Sequence, residues 1–437
     1  MTVFRCAAAW IDNAVSGPVD IVTDHGVITA IGPPDTTGDD QPESLPGLVF
    51  PGFADAHSHV FHRALRGRTH GADAQAGSFW TWRETMYALA GRLDPDSLHA
   101  LALATYTELL CAGYTAVGEF HYLHHRPDGG RYDDPNAMGL AVTDAGAEAG
   151  IDVTLLDVAY LSSGFGKPTV GVQQRFSDGS IDAWADRVAA LPSALRTGVA
   201  VHSVRAVPES ALGSVAAAAD GRVLHVHLSE QAAENEACLA ATGRTPAALL
   251  HGAGVLGPRT SAVHATHLTA GDLGLLAGTG TTAVICPTTE ADLADGLPSI
   301  AAMVDAGIRL ACGGDQQVIV DPFAQARGIE YGERSATGRR GTMLPAALVG
   351  AATVNSHRSI GSPGGSIEIG APADLVAVRT DSARTAGADP DQLVMVAAAA
   401  DVAVVVRAGE VVATNGIHRR FGDPGEMLGA SIARAWR

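Results

Sequence analysis

The sequence predicts an α/β protein whose larger part is a (β/α)8 barrel of the TIM type, flanked by a small β domain built from both ends of the chain. Two observations predict this fold. Through the middle of the chain, short apolar runs alternate with Ala-rich segments of helical periodicity, which indicates parallel βα units. Both ends instead show strand alternation without a helical pattern. Eight βα units spread over about 300 residues suit a closed barrel.

The candidate barrel strands are short and rich in Val, Ile, Leu and Ala, as strands buried on both faces are. Helical periodicity lies between them, for example at residues 98–112, 136–150, 181–191 and 297–307. The eight candidate strands span residues 47–54, 114–120, 152–159, 198–204, 222–228, 260–265, 281–285 and 308–312.

The two ends of the chain share the same strand-like pattern of alternating residues. Alternating segments such as Val19-Asp-Ile-Val and Gly26-Val-Ile-Thr-Ala-Ile occur before residue 50, and Asp401-Val-Ala-Val-Val-Val occurs near the other end. We therefore predict one composite β domain from residues 1–50 and 360–437, with the barrel inserted at residues 51–359.

Composition excludes several classes of protein. The 437 residues are 46% hydrophobic and 17% charged, which argues against disorder. A formal net charge of −18 argues against a nucleic-acid or anionic-membrane partner. The sequence has no long uncharged apolar run, no signal-peptide pattern, and five scattered cysteines without CxxC spacing. We expect a cytoplasmic protein that binds neither nucleic acid nor membranes.

Potential metal ligands follow the candidate strands. His57 and His59 come directly after the first strand and, two residues apart, point to the same side. His227 ends the fifth strand, His264 the sixth and Asp315 the eighth. Each residue alone could simply pack in a core. Together they lie at the carboxyl ends of barrel strands, where active sites of such barrels are found.

This set of residues predicts a hydrolytic metal centre. Three imidazoles and one carboxylate suit Zn²⁺ or Fe²⁺ with one open position for water. Such an ion lowers the pKa of its water to near 7. Glu230, three residues after His227, is placed to move that proton.

The same residues resemble the amidohydrolase superfamily, through Pro51-Gly-Phe-Ala-Asp-Ala-His-Ser-His, the HxxE at 227–230, and the His and Asp of strands six and eight. That resemblance implies a β-sandwich formed from both termini beside the barrel. Binuclear members carry a Lys after strand four. This chain has His202 and Arg205 there, and Lys167, the only lysine, lies elsewhere. The resemblance therefore points to the mononuclear branch, which largely deaminates C=N bonds.

Within that branch the chain resembles the formimidoylglutamate deiminase family. The most specific stretches are Ser78-Phe-Trp-Thr-Trp-Arg-Glu-Thr-Met-Tyr and Cys286-Pro-Thr-Thr-Glu-Ala-Asp-Leu. The resemblance implies one divalent ion, zinc or iron, a small dicarboxylate substrate that arginine would clamp, and a homodimer. By residue it implies the metal ligands His57, His59, His227 and Asp315, the catalytic residues Glu230, His264 and Asp315, and the substrate-binding residues Arg83, Tyr122, His202, Arg205 and His62.

Two departures from the family leave the substrate open. His62 stands where the family has Gln, and Gln316-Gln317 follow Asp315 where the family has Ser. The alternatives are another formimino or guanidino acid and a purine or triazine ring. A non-catalytic scaffold is the alternative from another class, and the intact ligand set argues against it. The loop at 161–178 is a candidate lid.

Overall fold

The computed structural model describes residues 1–35, 41–70 and 79–437. It contains an eight-stranded parallel sheet and a nine-stranded mixed sheet. Both sheets were predicted, and the fold class is confirmed. In chain order the strands are β1 (Thr2–Ile11), β2 (Ala14–Ser16), β3 (Val19–Asp24), β4 (Val27–Gly32), β5 (Glu43–Pro51), β6 (Phe53–Ser58), β7 (Tyr114–His121), β8 (Asp152–Ala159), β9 (Thr197–Val201), β10 (Leu224–Leu228), β11 (Thr260–His264), β12 (Thr282–Ile285), β13 (Leu310–Cys312), β14 (Leu375–Val378), β15 (Val402–Arg407), β16 (Glu410–Thr414) and β17 (Ile417–His418).

Helices follow most of the barrel strands and surround the parallel sheet. Within the described residues, none of them is both long and apolar enough to cross a membrane. In chain order they are α1 (Phe79–Ala90), α2 (Pro95–Cys111), α3 (Ala137–Ala149), α4 (Ile181–Ala189), α5 (Glu209–Ala219), α6 (Ala232–Thr242), α7 (Pro246–Gly252), α8 (Ala270–Thr279), α9 (Pro287–Leu293), α10 (Ile300–Asp305), α11 (Pro322–Thr337), α12 (Pro345–Gly350), α13 (Ser356–Ser359) and α14 (Pro424–Ala435).

The barrel consists of β6 to β13, each strand pairing in parallel with the next in the chain. It is nearly closed, because Ser58 of β6 forms an isolated β-bridge with Asp315, three residues beyond the end of β13. Two backbone hydrogen bonds complete this seam: Asp315 N–H donates to His57 O at 2.7 Å, and His59 N–H donates to Asp315 O at 3.0 Å. The predicted ligand residues therefore take part in closing the barrel.

The first predicted strand, residues 47–54, is wrong in its extent. The structure divides this apolar run at Gly52, so that β5 belongs to the terminal sheet and β6 to the barrel. A Cβ at Gly52 would lie 2.2 Å from the Thr115 hydroxyl oxygen, and Gly52 N–H donates to Asp374 O at 2.9 Å. Close packing at the glycine breaks the run, although its apolar composition is continuous.

Local capping residues determine where helix α2 begins. Asp94 accepts a hydrogen bond from Ser97 N at 2.8 Å, and the Ser97 hydroxyl accepts from Asp94 N at 2.9 Å, which is a reciprocal capping box. Pro95 occupies the first turn, where its missing N–H costs nothing. The helix therefore begins three residues before the predicted start at residue 98.

The terminal sheet has the order β17-β16-β15-β14-β5-β1-β3-β4, with β2 paired to β1. It curves back on itself, because Ile28 of β4 donates to Ala371 O at 2.9 Å and accepts from Gly370 N at 2.8 Å, just before β14. The curved sheet encloses its own small apolar core, which includes Phe4 and Leu375. The last helix, α14, packs instead on α2 of the barrel.

A buried ion-pair network ties β8 to α4 beside the barrel. Arg187 on α4 donates two hydrogen bonds to Asp157 of β8, at 2.6 and 2.8 Å, and its Nε and Nη2 both donate to Asp178, at 3.1 and 3.0 Å. Trp184 Nε1 donates to Asp157 at 2.9 Å. His125, which follows β7, lies 3.2 Å from Asp178. The network fixes the chain on both sides of the strand ends that form the site described below.

Replacing Arg187 with Met is expected to lower the free energy of unfolding by about 3–5 kcal/mol, because two buried carboxylates lose their cation. Urea denaturation of the variant measures this loss. The control is Arg420→Met. It removes an exposed ion pair between Arg420 and Glu148, whose charged atoms lie 3.2 Å apart, and should cost about 0–1 kcal/mol. Equal effects of the two substitutions would contradict the role given to the buried network.

Candidate active site

The carboxyl ends of the barrel strands bring the predicted metal ligands together. His57 lies in β6 and His59 directly follows that strand, His227 lies in β10, and Asp315 follows β13. His57 Nε2 lies 3.1 Å from His227 Nε2, and His59 Nε2 lies 3.3 Å from the same atom. Asp315 Oδ1 lies 3.6 Å from His57 Nε2 and 3.4 Å from His59 Nε2. The ring nitrogens of His57 and His59 thus lie close both to His227 and to Asp315, although these residues come from distant parts of the chain.

The protonation of these rings shows that the cluster fits a cation. The Nδ1–H of His59 donates to Phe120 O at 2.9 Å, so its Nε2 carries a bare lone pair in the neutral ring. The Nε2 atoms of His57, His59 and His227 form one buried cluster, and Asp315 lies within 4 Å of His57 and His59. These residues would hold a divalent ion, and the donor set suits zinc or iron.

Burial keeps the ligands in the form that binds metal. It lowers the pKa of His57 to about 3 and also lowers the pKa of His59 and of His227. Burial alone would raise the pKa of Asp315, but its contacts with His57 and the other imidazoles hold that pKa below its ordinary value. Neutral imidazoles and an ionised carboxylate need lose no proton before an ion binds.

The loop that carries Asp315 is fixed by a carboxylate beneath it. Asp55 Oδ1 accepts from Gly314 N at 2.7 Å, and Asp55 Oδ2 accepts from Gln317 Nε2 at 2.7 Å. Gln317 Nε2 also lies 3.1 Å from Ser58 Oγ. A Cβ at position 314 would lie 2.7 Å from Asp55 Oδ2, so only glycine lets the loop approach this closely. Asp55 and Gln317 therefore set the position of the Asp315 side chain.

Backbone strain is concentrated around the same residues. Five non-glycine residues here adopt the left-handed region, which costs about 1–3 kcal/mol each and persists only where the surrounding structure enforces it. All five follow or end barrel strands at this rim. They are Ser229 (φ 50°), His264 (65°), Ala265 (53°), Asp315 (52°) and Gln317 (57°).

Glu230 and His264 stand beside the ligands as a pair of proton-handling groups. His264 Nε2 lies 3.9 Å from Glu230 Oε1 and 3.8 Å from Asp315 Oδ2. Burial raises the pKa of Glu230 to about 7, near the value that suits a general base at neutral pH. Burial would lower the pKa of His264, but the surrounding carboxylates, with Glu230 first, raise it. Glu230 and His264 can therefore exchange protons with a group bound at the metal centre.

A pocket opens above the ligands, and every predicted substrate-binding residue lines it. His62 Nε2 and the Tyr122 hydroxyl are hydrogen-bonded at 2.9 Å within this pocket. Aromatic and apolar side chains complete the wall, and several of them come from the two stretches that carry the family resemblance most specifically. The lining residues are His59, His62, Trp82, Arg83, Met86, Tyr87, Tyr122, Tyr160, Phe176, His202, Arg205, His227, Glu230, His264, Leu293 and Asp315.

Two guanidinium groups reach this pocket from different elements. Arg83 lies on α1, with its Cζ 5.5 Å from the centre of the Tyr87 ring. Arg205 follows β9, and its Nε lies 3.5 Å from Glu234 Oε1. His202 lies three residues before Arg205. Its pKa is well below the ordinary value, mainly because the ring is buried and secondly because Arg205 is positively charged. The pocket thus holds fixed positive charge beside neutral hydrogen-bonding rings.

The two departures from the family pattern fall in different places. His62 lines the pocket, so that substitution lies where a substrate would be contacted. Gln316 and Gln317 are buried behind Asp315 and do not line the pocket. Gln317 has the supporting role described above, and Gln316 N–H donates to the Thr289 hydroxyl at 3.3 Å.

The segment predicted as a lid, residues 161–178, is anchored in its second half. Residues Gly171–Phe176 form a 3₁₀ helix, and Phe176 lines the pocket. The buried guanidinium of Arg175 donates to Leu93 O at 2.8 Å and to His125 O at 3.2 Å. This half is a wall of the pocket. Lys167, in the other half, lines a separate groove that Arg205 also borders.

Several residues of the site were missed from the sequence. Asp55 belongs to the quoted strand-one motif, but nothing in a sequence pairs it with Gln317, 262 positions away. Tyr160 directly follows β8 and Phe176 ends a short 3₁₀ helix, and neither position has a periodic signal in the sequence. Ser78, the first residue of the Trp-rich stretch, lies outside the described residues.

Comparisons with known proteins agree with this geometry. Residues 48–412 match the model of the amidohydrolase family, and the chain belongs to that family. It is 36% identical to formimidoylglutamate deiminase from Pseudomonas aeruginosa over 386 residues, which are 85% of this chain and 84% of that protein. The crystal structure of an amidohydrolase from Brucella melitensis matches all of both chains at 30% identity, with a TM-score of 0.90.

A second solved structure shares the fold. An adenosine deaminase from Xanthomonas campestris, solved with bound zinc, has a TM-score of 0.82 at 21% identity, over 99% of this chain and 97% of that one. The buried His and Asp cluster is typical of amidohydrolase metal sites. The chain is a metal-dependent hydrolase of the amidohydrolase family that acts on C–N bonds.

Substituting Gln317 with Ala is expected to weaken zinc binding by about 10–100-fold, because Asp55 loses the donor that fixes the Asp315 loop. Competition with a fluorescent chelator measures the affinity. Gln316→Ala is the control, since the Gln316 side-chain nitrogen has no hydrogen-bond partner among the described residues, and it should leave the affinity within about threefold. A larger loss in the control than in Gln317→Ala would refute the support assigned to Asp55 and Gln317.

Proposed function

We propose that this protein hydrolyses N-formimino-L-glutamate to N-formyl-L-glutamate and ammonia. The observation that carries the proposal is the presence of two guanidinium groups, Arg83 and Arg205, in the pocket above the metal ligands. A substrate with two carboxylates and one C=N bond suits both features. The 36% identity to a formimidoylglutamate deiminase supports the same substrate.

In this reaction water adds to the formimino carbon, the C=N π bond opens, and the C–NH₂ bond of the resulting tetrahedral adduct breaks. A divalent ion held by His57, His59, His227 and Asp315 would polarise water and lower its pKa to near 7. Glu230 accepts a proton from the attacking water and delivers it to the departing nitrogen. The formyl oxygen then comes from water, and ammonia leaves.

His264 has a separate part in this scheme. Its Nε2 lies within 4 Å of both Glu230 and Asp315, so it contacts the region where the water oxygen bonds to the substrate carbon. An imidazolium there stabilises negative charge as it develops on that oxygen. Asp315 fixes the direction of the attacking oxygen by accepting a hydrogen bond from it.

The remaining pocket residues hold the substrate in this scheme. Arg83 and Arg205 bind the two carboxylates, each able to make paired hydrogen bonds. Tyr122 and His202 donate hydrogen bonds to the bound acid, and His62 takes the place of the family's glutamine beside Tyr122. Because His62 is hydrogen-bonded to Tyr122, it acts on the substrate partly through that tyrosine.

The ion, the assembly and the compartment complete the proposal. We propose zinc as the ion, with iron compatible with the same ligands.

We also propose that the enzyme works as a homodimer in the cytoplasm, with its five described cysteines reduced and buried. Light scattering during gel filtration measures the assembly, where a monomer mass would refute the dimer.

Glu230→Gln is expected to lower kcat by about 10²–10⁴-fold while the substrate still binds, because the amide can no longer accept the proton of water. Ammonia release gives kcat, and isothermal titration of the variant gives the substrate affinity. The control is Glu236→Gln on the exposed face of α6, which should leave kcat unchanged. Turnover retained in Glu230→Gln would remove Glu230 from the mechanism.

The contacts to the two carboxylates can be separated by pairing variants with truncated substrates. Arg205→Gln and Arg83→Gln are each expected to raise KM for N-formimino-L-glutamate about 10–100-fold, the equivalent of one lost charged hydrogen bond. Each effect should shrink to less than about threefold with the analogue that lacks the matching carboxylate. The analogues are N-formimino-4-aminobutyrate and N-formimino-2-aminobutyrate. Effects that stay the same with all three substrates would argue against carboxylate binding.

A further inference from the structure

The motif Cys286-Pro-Thr-Thr-Glu-Ala-Asp-Leu has no part in the scheme above, although its residues reach the catalytic centre. Cys286 precedes α9, and Thr289 and Glu290 lie on that helix. All three side chains are buried, with Glu290 3% exposed. The Thr289 hydroxyl lies 3.3 Å from Gly314 O and from Gln316 N, so the helix contacts the loop that carries Asp315.

Glu290 faces the side of His264 that points away from the ligands. Its Oε1 lies 3.4 Å from His264 Nδ1, while His264 Nε2 faces Glu230 and Asp315. Among the described residues, His264 Nδ1 is buried and has no well-formed hydrogen bond. The Glu290 carboxylate is therefore the acceptor that a proton on Nδ1 would meet.

The Glu290 carboxylate is itself held in place. Its Oε1 accepts a hydrogen bond from Cys286 N at 2.9 Å, and Glu290 N–H donates to Cys286 O at 2.9 Å. These reciprocal bonds fix the side chain at the start of α9. The backbone of His264 is itself strained, with a φ of 65°.

We infer that Glu290 is a positioning residue that holds the Nδ1–H of His264 and thereby aims Nε2 at the reacting atoms. The inference rests on the proposed function only in giving His264 a part in the chemistry. A histidine ring whose far nitrogen donates its proton to a carboxylate keeps one orientation. Without that carboxylate the ring can turn, and Nε2 no longer faces Glu230 and Asp315 in every molecule.

The test compares Glu290→Gln with Glu333→Gln in the zinc-loaded protein. Glu333 is a matched control, because it is a buried glutamate that accepts a helix N–H, from Ala301 at 3.1 Å, away from the site. Glu290→Gln is expected to lower kcat about 10–100-fold with KM within about threefold, and Glu333→Gln should leave both unchanged. Equal losses in the two variants would overturn the inference.

A second arm asks whether Glu290 acts through His264. In a His264→Asn background, Glu290→Gln should lower kcat less than about twofold further, because the ring it positions is gone. A full additional loss in that background would refute the inference. The assay uses whichever formimino acid or heterocycle the wild-type protein hydrolyses, so failure on N-formimino-L-glutamate itself counts against the proposed function alone.

A spectroscopic arm needs no turnover. Histidine-selective ¹⁵N labelling of the zinc-loaded protein gives the ring-nitrogen signals, and loss of signals in His264→Asn assigns those of His264. Glu290→Gln is expected to shift the His264 Nδ1 signal, and Glu333→Gln is expected to leave it in place. An unmoved Nδ1 signal in Glu290→Gln would show that the two side chains do not interact.

Discussion

The barrel closes through the backbone of the residues that form its metal centre. Asp315 and the His57–His59 segment exchange two backbone hydrogen bonds across the seam between β13 and β6. The spacing of their side chains is therefore set by sheet geometry, which leaves little freedom to the individual loops. Asp55 reinforces this seam from below, because its carboxylate binds Gly314 and Gln317. Anything that opens the seam also separates the ligands.

Burial at this seam explains the chemistry of the ligands. In a low-dielectric site, desolvation penalises every additional charge, so the ligand imidazoles stay neutral and offer lone pairs. Asp315 stays ionised among them, beside the pair of Glu230 and His264. The backbone at the same strand ends is strained, and the surrounding structure holds it in that conformation. Arg83 and Arg205 then add positive charge to the pocket above the metal ligands.

Much of this arrangement could be predicted from sequence because barrel strands and their polar ends are local signals. The strand at 152–159 was predicted with the bounds that the structure has, since a run buried on both faces is apolar throughout. The same criterion predicted one strand at 47–54, because the apolar composition of this run is continuous. The structure divides it at Gly52, which packs against Thr115, a residue far along the chain. The pairing of Asp55 with Gln317 is likewise a tertiary contact. Local patterns can suggest which residues carry chemistry, but the supports of those residues come from packing.

The most direct measurement is ammonia release by the zinc-loaded protein from N-formimino-L-glutamate, with N-formimino-L-aspartate, guanidino diacids, guanine and adenosine assayed beside it. The account predicts rapid release from N-formimino-L-glutamate and little from the shorter acid or the rings, because two guanidinium groups and one metal centre fit a diacid with a C=N group. Release from a purine ring with none from any formimino acid would contradict it. In that case His62, the pocket residue that departs from the family pattern, would be the first position to revert to Gln.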